Sequence, residues 1–346
     1  MMQTSKKLLL IGGSKGNVHL LNYYNLISKH FADVLVVSDY EFEACPSRLL
    51  QFEFKSPLAL FRNVKALRKV IRTFQPDLIH VHQANAYGFV TALANQSKVP
   101  MALTTWGSDV LTLPHKSILH RWMVKYILKS AKEITADAGY MATAIQQLIG
   151  HKEVLIANFG VELSTPDTSL ERANLIYSNR MHEPLYQIDQ IILQANAFLS
   201  NNSSWVLQLA ASGSQTTTLQ DLAQQNLPPG SYAFLGFQAG EENKRNYLNA
   251  QIYISIPTTD GTSISLLEAM AYGCIPIVSD LPANREWIEH GKNGLITSGD
   301  LSKDLALAQT LDIKEVQALN NHIIAQRATK TVNQSKFIAL YDQILA

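Results

Sequence analysis

Cysteine is nearly absent: Cys45 and Cys274 are the only two in 346 residues. That excludes a disulfide-stapled scaffold and a zinc site built from cysteines. Long apolar runs are missing too. No stretch approaches the roughly 20 apolar residues that a membrane-spanning helix needs. The opening Met1 to Lys7 is polar and basic and leads into only four apolar residues, Leu8 to Ile11, which is not a secretory signal. The expectation is a cytoplasmic chain. Charged residues are scarce, 16% against 47% hydrophobic. That balance supports sizeable cores and excludes a disordered or collagen-like chain. The little charge present is uneven. Residues 1–165 carry 18 basic and 11 acidic groups, or +7, and residues 166–346 carry 11 and 17, or −6. A basic first half points to an anionic surface. Nucleic acid is excluded as that surface, because the net charge is only +1 and no motif interleaves aromatic with basic residues.

What is there is alternation. Short β-type runs, LLLIG (8–12), VLVVS (34–38), LIHVH (78–82), MALTT (101–105), EIT (133–135) and VLIA (154–157), are separated by amphipathic stretches of helical period such as 58–74, 85–97 and 115–131. After a loop-like segment at 158–169 the alternation restarts with NLIYS, WVLQLA, YAFLG, IYISI, IPIVS and GLIT. The pattern predicts parallel strands joined by right-handed helical crossovers. It predicts two such units, 1–163 and 170–330, with a terminal helix at 331–346 packing across their junction. In open parallel sheets ligands bind beyond the carboxyl ends of the strands, so the residues just after each strand are the candidates.

The most informative segment follows IYISI. Asp260 and Glu268 have seven residues between them, and a helix opens at about Ser263. Between the acids, Gly261, Thr262, Ser263 and Ile264 supply the N–H groups of a helix start, the donors that bind phosphate. Ser263 or Thr262 caps that helix. An anion site flanked by two carboxylates suits a nucleotide sugar, with phosphates on the amides and hydroxyls on the acids. The same residues also make a plain capped helix with surface acids.

Asp260 to Glu268, followed by AMAYGCIPIVSD and EWIEHGKNGLI, resembles the donor signature of family-4-type retaining glycosyltransferases, the glycosyl transferases group 1, of GT-B fold. The resemblance implies an α/β protein of two facing Rossmann-like domains with parallel sheets and an interdomain cleft. It implies transfer of a sugar, hexosyl or N-acetylhexosaminyl, from a nucleotide-diphosphate sugar to a hydroxyl acceptor. The transfer would be retaining and metal-independent, with no cofactor beyond the donor substrate. Glu268 is then expected on the ribose, Asp260 on the donor sugar, and the amides of Thr262 to Ile264 on the diphosphate. Two departures stand out. The first acid is Asp260 rather than glutamate, and SNRMHEPLY (178–186) supplies Arg180 for the phosphates but no lysine after it, leaving Tyr186 or His182 for that space.

In the first half, IGGSKGN offers Gly12 and Gly13 for close approach of backbone to a ligand, with Lys15 adding positive charge. TTWGSDV places Trp106 where the family commonly has histidine, and Asp109 where a carboxylate accepts a sugar hydroxyl or caps the next turn. His82, at the end of its strand, is a candidate acceptor contact, and His80, deeper, a core histidine. The site expected is therefore Asp260 and Asp109 in catalysis; Gly12, Gly13, Arg180, Gly261, Thr262, Ser263, Ile264 and Glu268 on the donor; and His82, Trp106 and Lys15 on the acceptor side, without metal. The acceptor expected is a glycan or lipid-linked glycan of envelope or surface polysaccharide biosynthesis. The basic helical segments 58–74 and 115–132 can lie on anionic lipid, which adds a peripheral position at the inner face of a membrane. Two other readings share this architecture: a nucleotide-sugar 2-epimerase, and a non-catalytic subunit of a glycosyltransferase complex. A nicotinamide dehydrogenase fits the opening glycines but lacks a full GxGxxG unit with its ribose-binding acid.

Overall fold

The structure is a computed structural model that describes residues 4–13, 19–163 and 172–346. The chain forms two compact units. Met1–Phe159 together with Lys330–Ala346 make the first, and Gly160–Thr329 make the second.

The first unit is built on seven parallel strands: β1 (Lys7–Ile11), β2 (Asp33–Ser38), β3 (Ser47–Leu49), β4 (Leu78–His82), β5 (Met101–Thr104), β6 (Glu133–Ala136) and β7 (Val154–Ile156). Their spatial order is β3-β2-β1-β4-β5-β6-β7. The second unit has six: β8 (Ala173–Ser178), β9 (Val206–Ala210), β10 (Tyr232–Gly236), β11 (Ala250–Ser255), β12 (Ile275–Val278) and β13 (Leu295–Ile296), in the order β10-β9-β8-β11-β12-β13. All pairings are parallel. A parallel sheet is covered by helices on both faces, which is why β1 reads as an unbroken apolar run after Lys7 and why β4 is buried throughout although it carries His80 and His82. In each sheet the order reverses at the first strand of the unit, β1 beside β4 and β8 beside β11. Loops leaving those neighbours open a crevice at the carboxyl ends.

Strand β3 has no counterpart in the sequence reading, and the last helix lies within the first unit. The helix spans Lys330–Leu345 and places Phe337, Leu340, Tyr341 and Ile344 in the first unit's core with Tyr23, Leu26 and Phe31. Inside that core His80 Nδ1 meets the hydroxyls of Tyr23 (3.1 Å) and Tyr341, while Nε2 lies 2.8 Å from Thr104 Oγ1. With a tyrosine hydroxyl donating to Nδ1, the ring proton sits on Nε2 and is donated to Thr104. His80 is thus a satisfied core histidine.

Candidate active site

In the second unit, the loops after β8 and β11 are bound to each other. Thr258 N donates to Leu185 O at 3.0 Å, and Gln187 Nε2 donates to Ile256 O at 2.7 Å. This lacing sets Arg180 against the start of the helix Ile264–Ala271. Arg180 donates to Asp260 Oδ2 at 2.7 Å and to Ser263 Oγ at 2.5 Å. Its guanidinium lies over the Tyr186 ring, 4.4 Å from the centroid. The arginine side chain is 10% exposed and the aspartate 26%. Burial pulls the guanidinium pKa down, but Asp260 and the surrounding tyrosines outweigh it and hold it above the ordinary value. Burial pushes the Asp260 carboxyl up, and Arg180 and the Gly261 N–H oppose that. Arg180 Nε has no acceptor among the described residues. A fixed cation with an unspent donor therefore stands at a helix N-terminus, where the macrodipole also favours negative charge.

The neighbouring residues divide into those that build this corner and those that line it. Ser263 caps the helix through Leu266 N. Thr262 is buried, and its Oγ1 accepts from the Trp287 indole N–H at 3.2 Å, so its side chain serves packing. Gly261 N is engaged by Asp260 Oδ1 at 3.0 Å. Ile264 packs on the cluster of Leu266, Leu267 and Trp287. The Tyr186 ring lies against the Arg180 guanidinium. His182 turns away, buried, with Nδ1 3.0 Å from Thr216 Oγ1.

Glu268 projects from the second turn of the helix. It receives Asn243 Nδ2 at 3.4 Å. Asn243 Oδ1 in turn accepts from Tyr177 (2.7 Å) and Asn179 (3.1 Å), and Asn179 bonds Tyr247 and Tyr253. Burial pushes the Tyr253 hydroxyl up to about 12. The sequence reading missed this network. Its signal was present in Asn179, adjacent to Arg180, but Asn243 lies on a polar helix that reads as solvent-facing.

The first unit places its candidates at the carboxyl ends of β1, β4 and β5. Gly12 and Gly13 have φ of +144° and +89°. A Cβ on Gly12 would stand 2.8 Å from His82 Cβ, and one on Gly13 would stand 2.9 Å from Leu20 Cδ2. The glycines here admit a neighbouring strand end and a helix, which is a packing need as much as a ligand's. His82 is fully buried. Its Nδ1 accepts the Trp106 indole N–H at 3.1 Å, and its ring stacks on Phe159. The proton is therefore on Nε2, and that N–H has no acceptor among the described residues. Half-buried Trp106 is the group that faces outward.

Asp109 is buried beside Trp106. Only 3% exposed, it accepts Ala84 N on Oδ2 at 2.7 Å and Trp106 N on Oδ1 at 3.0 Å. Burial pushes its carboxyl up, and these backbone donors pull it back. It staples the loops after β4 and β5 and positions Trp106. Lys15 lies outside the described residues.

Two doubly wound parallel sheets in one chain, of seven and six strands, are the architecture of the GT-B fold. Two family models match in succession: Glycosyl transferase 4-like over residues 7–138, and Glycosyl transferases group 1 over residues 167–329. The chain belongs to the group 1 glycosyltransferases. Solved structures agree along nearly the whole length. A glycosyltransferase from Rickettsia africae superposes with a TM-score of 0.80 at 13% identity, covering 99% of both chains. HepE of Anabaena, in complex with UDP-glucose, gives 0.78 at 17% identity over 97% of this chain and all of that one. A sucrose-phosphate synthase from Thermosynechococcus elongatus gives 0.78 at 15% identity, over 98% and 99%. No curated protein sequence matches the chain.

Proposed function

We propose that this glycosyltransferase moves a hexosyl or N-acetylhexosaminyl group from a nucleotide-diphosphate sugar to a hydroxyl of a glycan or lipid-linked glycan, in envelope or surface polysaccharide biosynthesis. The observation that carries the donor assignment is Arg180, a nearly buried cation held by Asp260 and Ser263 at the start of the helix Ile264–Ala271. On this reading Arg180 and the first-turn N–H groups of that helix take the diphosphate. They supply, without a metal ion, the positive charge that the leaving group needs as the glycosidic bond breaks. Glu268, already set by Asn243, accepts the ribose hydroxyls. Asp260 turns a carboxylate oxygen to the donor sugar and orients it for attack with retained configuration. In the first unit Trp106 offers a flat apolar face to the acceptor, and Asp109 and His82 act through it as positioning residues.

The test is a thermal-shift screen of the full chain against UDP-, GDP-, ADP- and CMP-linked sugars. A ligand of the native state raises its apparent stability by about 2.7 kcal/mol at a hundredfold excess over Kd. One class of donor is expected to raise the melting temperature, and then to release nucleoside diphosphate only when an acceptor is added. No shift with any donor contradicts the site. Conversion of the donor to an epimer without acceptor replaces transfer by epimerisation.

A further inference from the structure

Two helices of the first unit carry apolar residues on the side that does not face the sheet. The helix Pro57–Phe74 buries Val64, Leu67, Val70 and Ile71. Its opening turns nonetheless expose Leu58 and Phe61 to 77% and 65%. The helix Ile118–Ser130 buries Val124, Ile127 and Leu128, and exposes Ile118, Leu119 and Trp122 to 89%, 71% and 55%. Exposed large side chains in this number are not scattered singly. Both helices pack on the helix Ala86–Ala94 between them. Phe89 of that helix links them: its ring lies 5.9 Å from Phe54, just before the first helix, and 6.1 Å from Trp122.

The placement along the helices matters as much as the exposure. In a parallel sheet with right-handed crossovers, connecting helices run antiparallel to the strands, so their first turns stand at the carboxyl end of the sheet. Leu58, Phe61, Ile118, Leu119 and Trp122 all lie in first or second turns. They therefore share the end of the unit that carries Gly12, His82 and Trp106.

Charge decides what covers this face. From Phe54 to Pro76 and from Val110 to Lys132 the chain contains no aspartate or glutamate. Arg62 and Lys65 follow Leu58 and Phe61 at helical spacing, and together they line one shallow depression. Arg121 and Lys125 do the same beside Ile118 and Trp122. Bulky apolar tips with cations beside them are what an interfacial helix presents to anionic lipid: the tips enter the acyl boundary and the cations stay among the headgroups. A duplex would meet the cations but leave five large apolar side chains unpaid for.

We infer that this face of the first unit docks on an anionic bilayer, through Leu58, Phe61, Ile118, Leu119 and Trp122 with Arg62, Lys65, Arg121 and Lys125 as its basic rim. It rests on the transferase reading in one respect only, that the acceptor presented at the docked end is lipid-linked. The test is co-sedimentation of the full chain with phosphatidylcholine vesicles, with and without phosphatidylglycerol, at low and high salt. The chain is expected to pellet with the phosphatidylglycerol vesicles and to be released by salt, because headgroup attraction fades within a Debye length. Lys65→Gln and Arg121→Gln are each expected to lower partitioning about fivefold, the equivalent of about 1 kcal/mol per cation. Phe61→Ser with Ile118→Ser is expected to abolish pelleting while leaving the melting temperature unchanged. A wild-type chain that stays in solution with anionic vesicles, variants that pellet like wild type, or tighter binding to duplex DNA than to vesicles would each overturn the inference. The donor-induced thermal shift, measured on the same proteins, separates the two readings: lost vesicle binding with an intact shift sinks only the docking face.

Discussion

At the scale of single residues, the two acids of the second unit have different surroundings and so different expected phenotypes. Asp260 is locked to Arg180 and to Gly261 N, whereas Glu268 receives a long bond from Asn243. Asp260→Asn keeps an oxygen for Arg180 but removes the charge that orients the sugar. It is expected to lower kcat about a hundredfold with little change in donor KM. Glu268→Ala removes hydrogen bonds to a charged group, worth about 1.5–3 kcal/mol, and is expected to weaken donor binding at least about tenfold. Steady-state kinetics with donor varied, together with calorimetric donor titration, check both; identical parameters in the two variants would contradict the division of roles. Asp260 and Glu268 stood out in the sequence through the resemblance their segment carries, and Arg180 through its place just after a strand. What Asp109 and His82 touch was not legible. Their strand-end positions are real, but a carboxylate can be consumed by two backbone N–H groups, and an imidazole can be covered by an indole, without any trace in the sequence.

At the scale of elements, the apolar runs showed twelve of the thirteen strands. β3 escaped because its three residues lie at the sheet edge, mostly exposed, with no apolar pattern to display. The last helix was expected to begin near residue 331, and in the core it is anchored from Asn333, whose Oδ1 accepts Asn158 N at 2.9 Å. A fully buried asparagine reads as surface. The loops after β8 and β9 gave even less away. There Glu183 accepts Ser214 N (2.7 Å) and Oγ (2.6 Å), and Gln215 N donates to His182 O at 3.0 Å. Gly213 makes this possible, since a Cβ on it would stand 2.5 Å from His182 O. Gly213→Ala is therefore expected to cost about 1–3 kcal/mol, the usual range for overpacking. Because His182 is two residues from Arg180, it should also diminish the donor-induced thermal shift. Urea denaturation and the same screen measure the two effects, and a variant that melts and binds like wild type would show that the loops are not laced this way.

At the scale of the whole molecule, the first unit carries a built-in acid sensitivity. Burial holds the His80 ring down to about 3, from an ordinary 6.5. Burial, with the neighbouring histidines adding to it, holds His82 well below its ordinary value. As pH falls through about 6.5 the unfolded chain takes up protons at these rings and the folded chain does not, so the stability they contribute is whole above that pH and drains toward about 3. Between pH 7 and pH 5 the expected loss is about 2 kcal/mol for His80, and His82 acts in the same direction. The carboxyls of Asp109 and Asp260, pushed up by burial, act in the opposite sense. Ring proton resonances are thus the cleaner measure, and titration of either ring near its ordinary value would contradict its burial. The last helix adds a constraint of another kind. The first unit closes its core with residues Lys330–Ala346, whereas the second is one uninterrupted stretch, Gly160–Thr329. During synthesis the earlier half of the polypeptide must wait, unsealed, until the ribosome has delivered everything after it. The later half can settle while the earlier half is still exposed to chaperones and proteases, so a nonsense codon near the 3′ end would ruin the portion made first.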